Sequence, residues 1–267
     1  MIPDSKNPIG IFDSGVGGLT VFKEVKKVLP NESLIYLGDT ARVPYGTKSA
    51  AVVTKYSLTN VNLLLSMGAK AVVIACNTAS AAAVSYLERV FPNCMIIGVI
   101  EPVVEYLLQH PEFKKIAVIG TNTTIASEAY QNALKRGSAS LKIVAKGCPL
   151  FVPLVEEGLF SSKITELTVD MYLSDIKREM PDALILGCTH YPMLKEIISG
   201  YFGGAVQIFD TGYFTARKLA AVLAEKHAEN RTQRVDRDSF FVTDDADSFR
   251  RTAELFLGHE VINVSRV

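Results

Sequence analysis

The chain has 267 residues, 48% of them hydrophobic, so it is long enough for about two packed domains and is not a disordered protein. Its 28 Lys and Arg residues balance its 28 Asp and Glu residues. A net charge of zero argues against nucleic acid or an anionic membrane as the partner, because both select strongly basic surfaces. We therefore expect a small neutral or zwitterionic ligand.

The N-terminal sequence MIPDSKNPIG lacks the basic and continuous apolar regions of a signal peptide. The richest apolar stretch, residues 69–87, is interrupted by polar side chains and falls short of a membrane span. The four cysteines are Cys76, Cys94, Cys148 and Cys188. None belongs to a CxxC pair, which disfavours disulfides and a structural metal site. We expect a cytoplasmic protein without membrane contact.

Short apolar runs alternate along the chain with longer helical patterns, which predicts an α/β fold of mostly parallel strands. The predicted strands are residues 9–12, 34–37, 71–75, 96–99, 116–119, 143–145, 183–186, 206–209 and 240–243. The predicted helices include residues 52–65, 163–180 and 214–226, and a final helix follows the last strand. The charged tract 225–238 predicts a surface loop.

Polar residues follow three predicted strands in each half of the chain. They are Asp13, Asp39 and Cys76 in the first half, and Thr121, Cys148 and Cys188 in the second. Because the spacings nearly match, we expect two similar, pseudo-symmetric α/β domains with the active site in the cleft between them. Break signals place the first domain at residues 1–100 plus 211–267 and the second at 101–210.

Cys76 follows the apolar run AVVIA and precedes a predicted helix that Asn77 and Thr78 could cap. The positive end of that helix should lower the pKa of the thiol. A single cysteine in such a place is more often buried and inert. Cys188 likewise lies between an apolar run, ALILG, and a helix predicted from Met193. Because two cysteines occupy equivalent positions, we interpret both as reactive thiols.

Asp13 ends a predicted strand and opens the run DSGVGG, whose glycines would allow a ligand close to the backbone. The run is neither GxGxxG nor followed by GK[ST], so phosphate is not the expected ligand. We interpret Asp13 as a proton partner of a thiol or a contact for an ammonium group, with a helix cap as the alternative. His190, two residues after Cys188, is interpreted as a proton partner rather than a structural histidine.

Hydroxyl side chains in the run TNTT, residues 121–124, suit an α-carboxylate, whereas the loops at 44–46 and 147–149 could be plain turns. The charged pair Glu156 and Glu157 could mark an exposed helix end.

A hydrolase or transferase needs one nucleophilic thiol, so two thiols facing one cleft suggest another use. One base can remove a proton from a tetrahedral carbon while the other delivers a proton to the opposite face, which inverts the stereocentre.

The motifs closely resemble those of the cofactor-independent glutamate racemases of the aspartate/glutamate racemase superfamily. The similarity covers IGIFDSGVGGLTV, YLGDTARVPYG, VIACNTAS, GVIEP, VIGTNTTIAS, CPLFVPLVEEG and LILGCTHYP. VIACNTAS together with LILGCTHYP is a specific signature. Residues beyond Gly212 contribute no diagnostic pattern.

The resemblance implies interconversion of L- and D-glutamate without a cofactor or metal, supplying D-glutamate for bacterial peptidoglycan. It implies that Cys76 is the base toward the D-isomer, assisted by Asp13, and Cys188 the base toward the L-isomer, assisted by His190. Glu156 matches a position linked to the second thiol. The implied substrate contacts are Asp13, Ser14, Pro44, Tyr45, Gly46, Asn77, Thr78, Thr121, Thr124, Thr189 and His190. We also expect a homodimer.

Several alternatives stay open at this point. An aspartate or hydantoin racemase of the same superfamily would keep both cysteines, whereas a related decarboxylase would dispense with one. A cysteine hydrolase needs one thiol, and a non-catalytic ligand-binding protein needs neither.

Overall fold

The computed structural model describes residues 4–232, 238–261 and 263–267. Its strands are β1 (Ile9–Asp13), β2 (Leu34–Gly38), β3 (Ala71–Ile74), β4 (Met95–Gly98), β5 (Lys115–Gly120), β6 (Lys142–Gly147), β7 (Ala183–Gly187), β8 (Gln207–Asp210), β9 (Ser239–Val242) and β10 (Val264–Arg266). Its α-helices are α1 (Leu19–Val28), α2 (Ala50–Ser66), α3 (Asn77–Val90), α4 (Glu101–Leu108), α5 (Asn122–Ala126), α6 (Ala129–Gly137), α7 (Phe151–Glu156), α8 (Lys163–Arg178), α9 (Lys195–Tyr201), α10 (Thr211–Glu225) and α11 (Ala246–Leu257).

The strands form two parallel sheets, which confirms the predicted fold class. The first sheet has the order β10-β9-β2-β1-β3-β4, and the second has the order β6-β5-β7-β8. In the first sheet β1 lies between β2 and β3, and β4 lies beyond β3. In the second sheet β5 lies between β6 and β7, and β8 lies beyond β7. The order β2-β1-β3-β4 is therefore repeated as β6-β5-β7-β8, the pseudo-symmetry expected from the strand-end spacing. Because β9 and β10 pair into the first sheet, we propose the division into residues 1–100 plus 211–267 and residues 101–210.

The central strands are buried along their whole length because helices cover both faces of each sheet. The apolar side of α1 buries Leu19, Val21, Phe22 and Val25, while Lys26 and Lys27 in its last turn complement the helix dipole. α8 begins at a Ser162 cap, whose hydroxyl accepts a hydrogen bond from Thr165 N at 3.3 Å. Burial along one face of each helix thus fixes how the helices pack on the sheets.

The carboxyl ends of the two sheets face each other across a cleft. Thr20 Oγ1 on α1 donates to Thr189 O, which follows β7, at 2.9 Å. Gly17 lies so close to Thr189 and His190 that a Cβ atom there would overlap their side chains. Gly17 therefore permits close packing between the two halves, and Gly18, whose Cβ would overlap Asp13, permits close packing within the first half. Of the three glycines predicted to allow a ligand close to the backbone, Gly17 and Gly18 serve packing instead, whereas Gly15 borders a cavity between the two sheets.

Three local predictions also need correction. The chain after Cys188 forms a 3-10 turn over Tyr191–Leu194, and the α-helix begins at Lys195, not at Met193, because Pro192 favours a tight turn first. β10 was not predicted, since a three-residue edge strand carries little apolar signal. In the tract 225–238, Ala228 is fully buried rather than on a surface loop, and residues 233–237 lie outside the described residues.

A buried ion pair ties the C-terminal part of the chain to the first sheet. Lys70 Nζ lies 2.6 Å from Glu32 Oε2, and both side chains are almost fully buried. Lys70 also donates to the carbonyl oxygens of Ser5 at 2.6 Å and Ala228 at 2.8 Å. Glu32 Oε1 accepts from Asn230 N at 2.8 Å. The hydrogen bonds of the two charged groups thus hold together four segments that are distant in sequence.

We expect Lys70→Met to destabilise the protein by about 3 to 5 kcal/mol, because it leaves the Glu32 carboxylate buried without its counter-charge. Lys163→Met is the matched control, since Lys163 forms an exposed ion pair with Glu166 whose loss should cost less than about 1 kcal/mol. Urea unfolding of both variants and the wild type measures the difference. Equal stabilities for the two variants would show that the buried pair does not hold the fold.

Candidate active site

Both predicted thiols border one cavity between the two sheets. Cys76 follows β3, Cys188 follows β7, and each side chain is 6% exposed. The cavity has a volume of about 340 Å³, which suits a small ligand. It is lined by Ser14, Gly15, Val43, Pro44, Tyr45, Gly46, Thr47, Cys76, Asn77, Thr78, Thr121, Asn122, Pro149, Val152, Pro153, Glu156, Cys188, Thr189 and His190.

On the first wall, Cys76 lies beside Ser14 and near the carboxyl group of Asp13. Cys76 Sγ is 3.8 Å from Ser14 Oγ. Asp13 is completely buried, and its Oδ2 accepts from Gly15 N at 2.9 Å. Burial raises the pKa of Asp13, although the charge of His190 and nearby backbone N–H groups oppose the shift. A carboxyl group with a raised pKa is better suited to exchange a proton with a neighbouring thiol.

A helix follows Cys76 as predicted, but burial and a neighbouring charge affect the pKa of the thiol more strongly than the helix end does. Cys76 itself is the N-cap of α3, and Asn77 and Thr78 lie in the first turn rather than capping it. Burial and the charge of Asp13 raise the pKa of Cys76 to about 12 against the opposing hydrogen bonds of Ala79 N and Ser14. The predicted lowering of this pKa is therefore wrong, because desolvation of a buried thiolate costs more than the helix end recovers.

On the second wall, His190 connects Cys188 with Glu156. His190 Nδ1 lies 3.8 Å from Cys188 Sγ, and His190 Nε2 lies 2.9 Å from Glu156 Oε1. Burial opposes the charged imidazolium, but the hydrogen bonds and charges of Cys188 and Glu156 outweigh it and raise the pKa of His190 to about 10. A protonated His190 at this distance can exchange a proton with the sulfur of Cys188. The edge of the Phe256 ring packs against His190, with ring centroids 5.6 Å apart.

Threonine hydroxyls join the two walls at one end of the cavity. Thr78 Oγ1 lies 3.0 Å from Thr121 Oγ1 and 3.1 Å from Thr124 Oγ1. Thr121 is also the N-cap of α5, where its hydroxyl accepts from Thr124 N. Thr123 Oγ1 donates to Gly46 O at 2.6 Å. The three mutually bonded hydroxyls can exchange these bonds for bonds to a ligand carboxylate.

One buried donor beside the cavity lacks a partner. Asn77 is 2% exposed, and its Nδ2 has no hydrogen-bond acceptor among the described residues. Its Oδ1 accepts from the hydroxyl of Tyr130, on α6, at 2.5 Å. A buried N–H group without an acceptor is costly, so the arrangement is suited to a ligand that supplies one.

The loop over the cavity is held by Asp39, which follows β2. Asp39 is fully buried and accepts hydrogen bonds from the hydroxyl of Tyr45, from Thr243 Oγ1 at 2.9 Å and from Arg42 Nη1 at 3.3 Å. Asn60 Nδ2 lies 3.2 Å from the Tyr45 hydroxyl. These bonds fix Tyr45 in the cavity wall, so the loop at 44–46 is more than a plain turn.

Most of the predicted site residues border the cavity. Asp13 and Thr124 do not, and each is fully buried behind the wall, where it is within hydrogen-bond distance of a lining residue. Five further lining residues were not predicted individually from the sequence, namely Val43, Thr47, Asn122, Val152 and Pro153. All except Thr47 lie within the motifs that resemble glutamate racemases, so the motifs carried a usable signal. Thr47 directly follows one of them.

The described residues offer little support for a different site. A larger cavity of about 710 Å³ lies along α4, β8 and α10, but it contains no thiol and no predicted site residue. No group of three or more His, Cys, Asp or Glu side chains in the described ranges could hold a metal ion. No helix in the same ranges is both long enough and apolar enough to cross a membrane.

Comparison with known proteins identifies the family. The model of the family described as Asp/Glu/Hydantoin racemase matches residues 16–219. The glutamate racemase of Geobacter metallireducens is 44% identical over 259 residues, which cover 97% of this chain and 96% of that protein.

Two solved structures have the same fold over nearly their full length. The glutamate racemase of Francisella tularensis in complex with D-glutamate superimposes with a TM-score of 0.92 at 37% identity, covering 98% of both chains. The glutamate racemase of Thermus thermophilus in complex with β-chloro-D-alanine gives a TM-score of 0.90 at 43% identity, covering 99% of this chain and 98% of the other. The chain therefore belongs to the Asp/Glu/hydantoin racemase family, among relatives that are glutamate racemases.

Proposed function

We propose that this protein interconverts L- and D-glutamate by proton transfer at the α-carbon, with Cys76 and Cys188 as the two bases. The observation that carries the proposal is that two thiols from equivalent strand ends border the same small cavity. A glutamate lying between them presents opposite faces of its α-carbon to the two sulfur atoms. The resemblance of the motifs and the named relatives support glutamate as the substrate.

The protonation states of the site suit one direction of the reaction. Cys76, with its pKa raised to about 12, is a thiol at neutral pH, and His190 Nδ1 lies 3.8 Å from Cys188 Sγ, where it can exchange a proton with that sulfur. The Cys188 thiolate takes the α-proton of L-glutamate while the Cys76 thiol donates its proton to the opposite face, which gives D-glutamate. The reverse reaction requires a Cys76 thiolate, formed when the Cys76 thiol passes its proton to Asp13, and a Cys188 thiol, formed when Cys188 takes a proton from His190. Glu156 acts through its hydrogen bond to His190.

The polar groups at the cavity suit the two carboxylates and the ammonium group of the substrate. The unpartnered Asn77 Nδ2 and the hydroxyls of Thr78 and Thr121 can donate to a carboxylate. Ser14 and Thr189 offer further hydroxyls on the two walls. A one-thiol hydrolase leaves the second cysteine unexplained, and an aspartate or hydantoin racemase differs from the proposal in its substrate alone.

The proposed activity needs neither pyridoxal phosphate nor a metal, because the thiols supply both proton transfers. D-glutamate is a component of bacterial peptidoglycan, and we propose that the protein supplies it in the cytoplasm.

Incubation with L- or D-glutamate in deuterated water tests the function directly. We expect the optical rotation signal to decay to zero from either enantiomer, with deuterium incorporated at the α-carbon, in protein dialysed against a chelator and without added pyridoxal phosphate. Aspartate at the same concentration should react with a kcat/KM about 100-fold lower, because one missing methylene group in a substrate side chain costs about 10- to 200-fold. A preference for aspartate would contradict the choice of substrate and leave the two-thiol mechanism standing. Trapping of an acyl-thioester on a cysteine of the protein would favour a hydrolase.

Single replacements of the thiols test the mechanism. Cys76→Ala and Cys188→Ala should each lower racemisation by about 100-fold or more, since a proton can no longer be both removed and delivered. Elimination from a glutamate analogue with a β-leaving group requires one base, so Cys76→Ala should act on the L-analogue and Cys188→Ala on the D-analogue.

Cys94→Ala is the control for these replacements, because Cys94 lies outside the cavity and should leave racemisation unchanged. Near wild-type racemisation by Cys188→Ala would refute the opposed-thiol mechanism. Elimination from both enantiomers by one single-thiol variant would do so as well.

We also propose that the protein is a homodimer. Three apolar residues of α8 are more than half exposed, namely Ile164 at 55%, Leu167 at 60% and Met171 at 54%. Their spacing places them on one face of the helix, and a contiguous exposed apolar face is typical of an interaction surface. A second copy of the chain could cover this face.

We expect the wild type to have the mass of a dimer in analytical ultracentrifugation and Leu167→Glu to shift it toward the monomer, because a charge would be buried in the contact. Lys55→Glu, an exposed substitution on α2, is the control and should not change the mass. A monomeric wild type would refute the homodimer, and a dimeric Leu167→Glu variant would exclude this face.

A further inference from the structure

The side chain of Tyr130 lies between the two thiol-bearing segments. It is fully buried on α6, and its hydroxyl reaches across the cleft to Asn77, the residue after Cys76. Its ring packs over Gly187, the residue before Cys188, where a Cβ atom would come within 3.1 Å of Tyr130 Cε2. Tyr130 therefore contacts the neighbours of both cysteines without lining the cavity itself.

The orientation of the Asn77 amide depends on this contact. Within the described ranges the Tyr130 hydroxyl has no hydrogen-bond partner other than Asn77 Oδ1. Burial and the charges of Glu101, Cys188 and Asp210 raise the pKa of Tyr130 well above its ordinary value, so the hydroxyl keeps its proton and must donate. Because the amide group is planar, fixing Oδ1 at Tyr130 directs Nδ2 away from it, and this nitrogen is the unpartnered donor of the site.

We propose that Tyr130 is a positioning residue that holds the Asn77 amide with its N–H groups toward a carboxylate of the bound substrate. This inference rests on the proposed racemisation of glutamate. Without the Tyr130 hydroxyl, the amide can rotate by half a turn and present Oδ1 to the cavity. An oxygen in that position would repel a carboxylate that the nitrogen would bind.

The inference predicts a specific change in kinetics for Tyr130→Phe, which keeps the ring over Gly187 and removes the hydroxyl. We expect KM to rise about tenfold for both glutamate enantiomers and kcat to stay within about threefold of the wild type, because substrate binding rather than proton transfer is affected. Tyr201→Phe removes a comparable hydroxyl contact, 2.8 Å from Asp170, and should change neither constant.

A double-mutant cycle separates positioning from general loss of structure. In the Asn77→Ala background the amide is gone, so Tyr130→Phe should change KM by less than about twofold. An equal rise of KM in both backgrounds, an unchanged KM in Tyr130→Phe, or a loss confined to kcat would overturn the inference. The wild type is tested for deuterium incorporation into glutamate in the same experiment. If it incorporates deuterium, the proposed function holds, and any of these results contradicts only the role of Tyr130.

A measurement on the wild type covers the case in which Tyr130→Phe does not fold. The Asn77 side-chain amide is identified in a ¹⁵N spectrum as the signal pair that Asn77→Ala lacks. Addition of the equilibrium mixture of L- and D-glutamate should shift this pair at saturation. An amide signal that does not respond to glutamate would overturn the inference.

Discussion

The site depends on the removal of water from the cleft between two sheets whose carboxyl ends meet. Most polar groups that the strand ends bring there are buried, with Ser14 and Thr121 partly exposed, and the buried ones require a partner from the protein or from a ligand. Asp13 and Thr189, Thr20 and Thr189, and Thr78 and Thr121 are such pairs. Close contact is possible because Gly17 leaves room for side chains of the second half. The exception is Asn77 Nδ2, which has no acceptor among the described residues and which we propose donates to the substrate.

The same exclusion of water gives the two thiols different surroundings. Cys76 is buried near a carboxyl group, which favours its protonated form. Cys188 lies beside a histidine whose positive charge Glu156 supports from the outer edge of the cavity. Two bases that act on opposite faces of one carbon must hold opposite protonation states at the start of a turnover. The asymmetry of their neighbours supplies that difference within an otherwise repeated architecture.

Much of the fold and of the site could be predicted from the sequence because both rest on local patterns. Apolar runs identified nine of the described strands, and their spacing identified the repeated strand order. Cys76 and Cys188 could be found because each lies just after a buried strand, at the edge where parallel sheets place their functional residues. The edge strand β10 had no such signal, and neither did the burial of Ala228, whose carbonyl oxygen accepts a hydrogen bond from the distant Lys70.

The sequence by itself determined which residues stand at the strand ends, and hence the chemical groups of the site. The tertiary structure alone decided the protonation of these groups and which of them line the cavity. The pKa of Cys76 was predicted to fall because the helix end is a local feature, and it rises because burial and Asp13 come from the packing of the whole domain. Asp13 and Thr124 lie behind the cavity wall for the same reason. Tyr130 carries no motif signal, because its contact with Asn77 spans 53 residues and exists only when the two sheets meet.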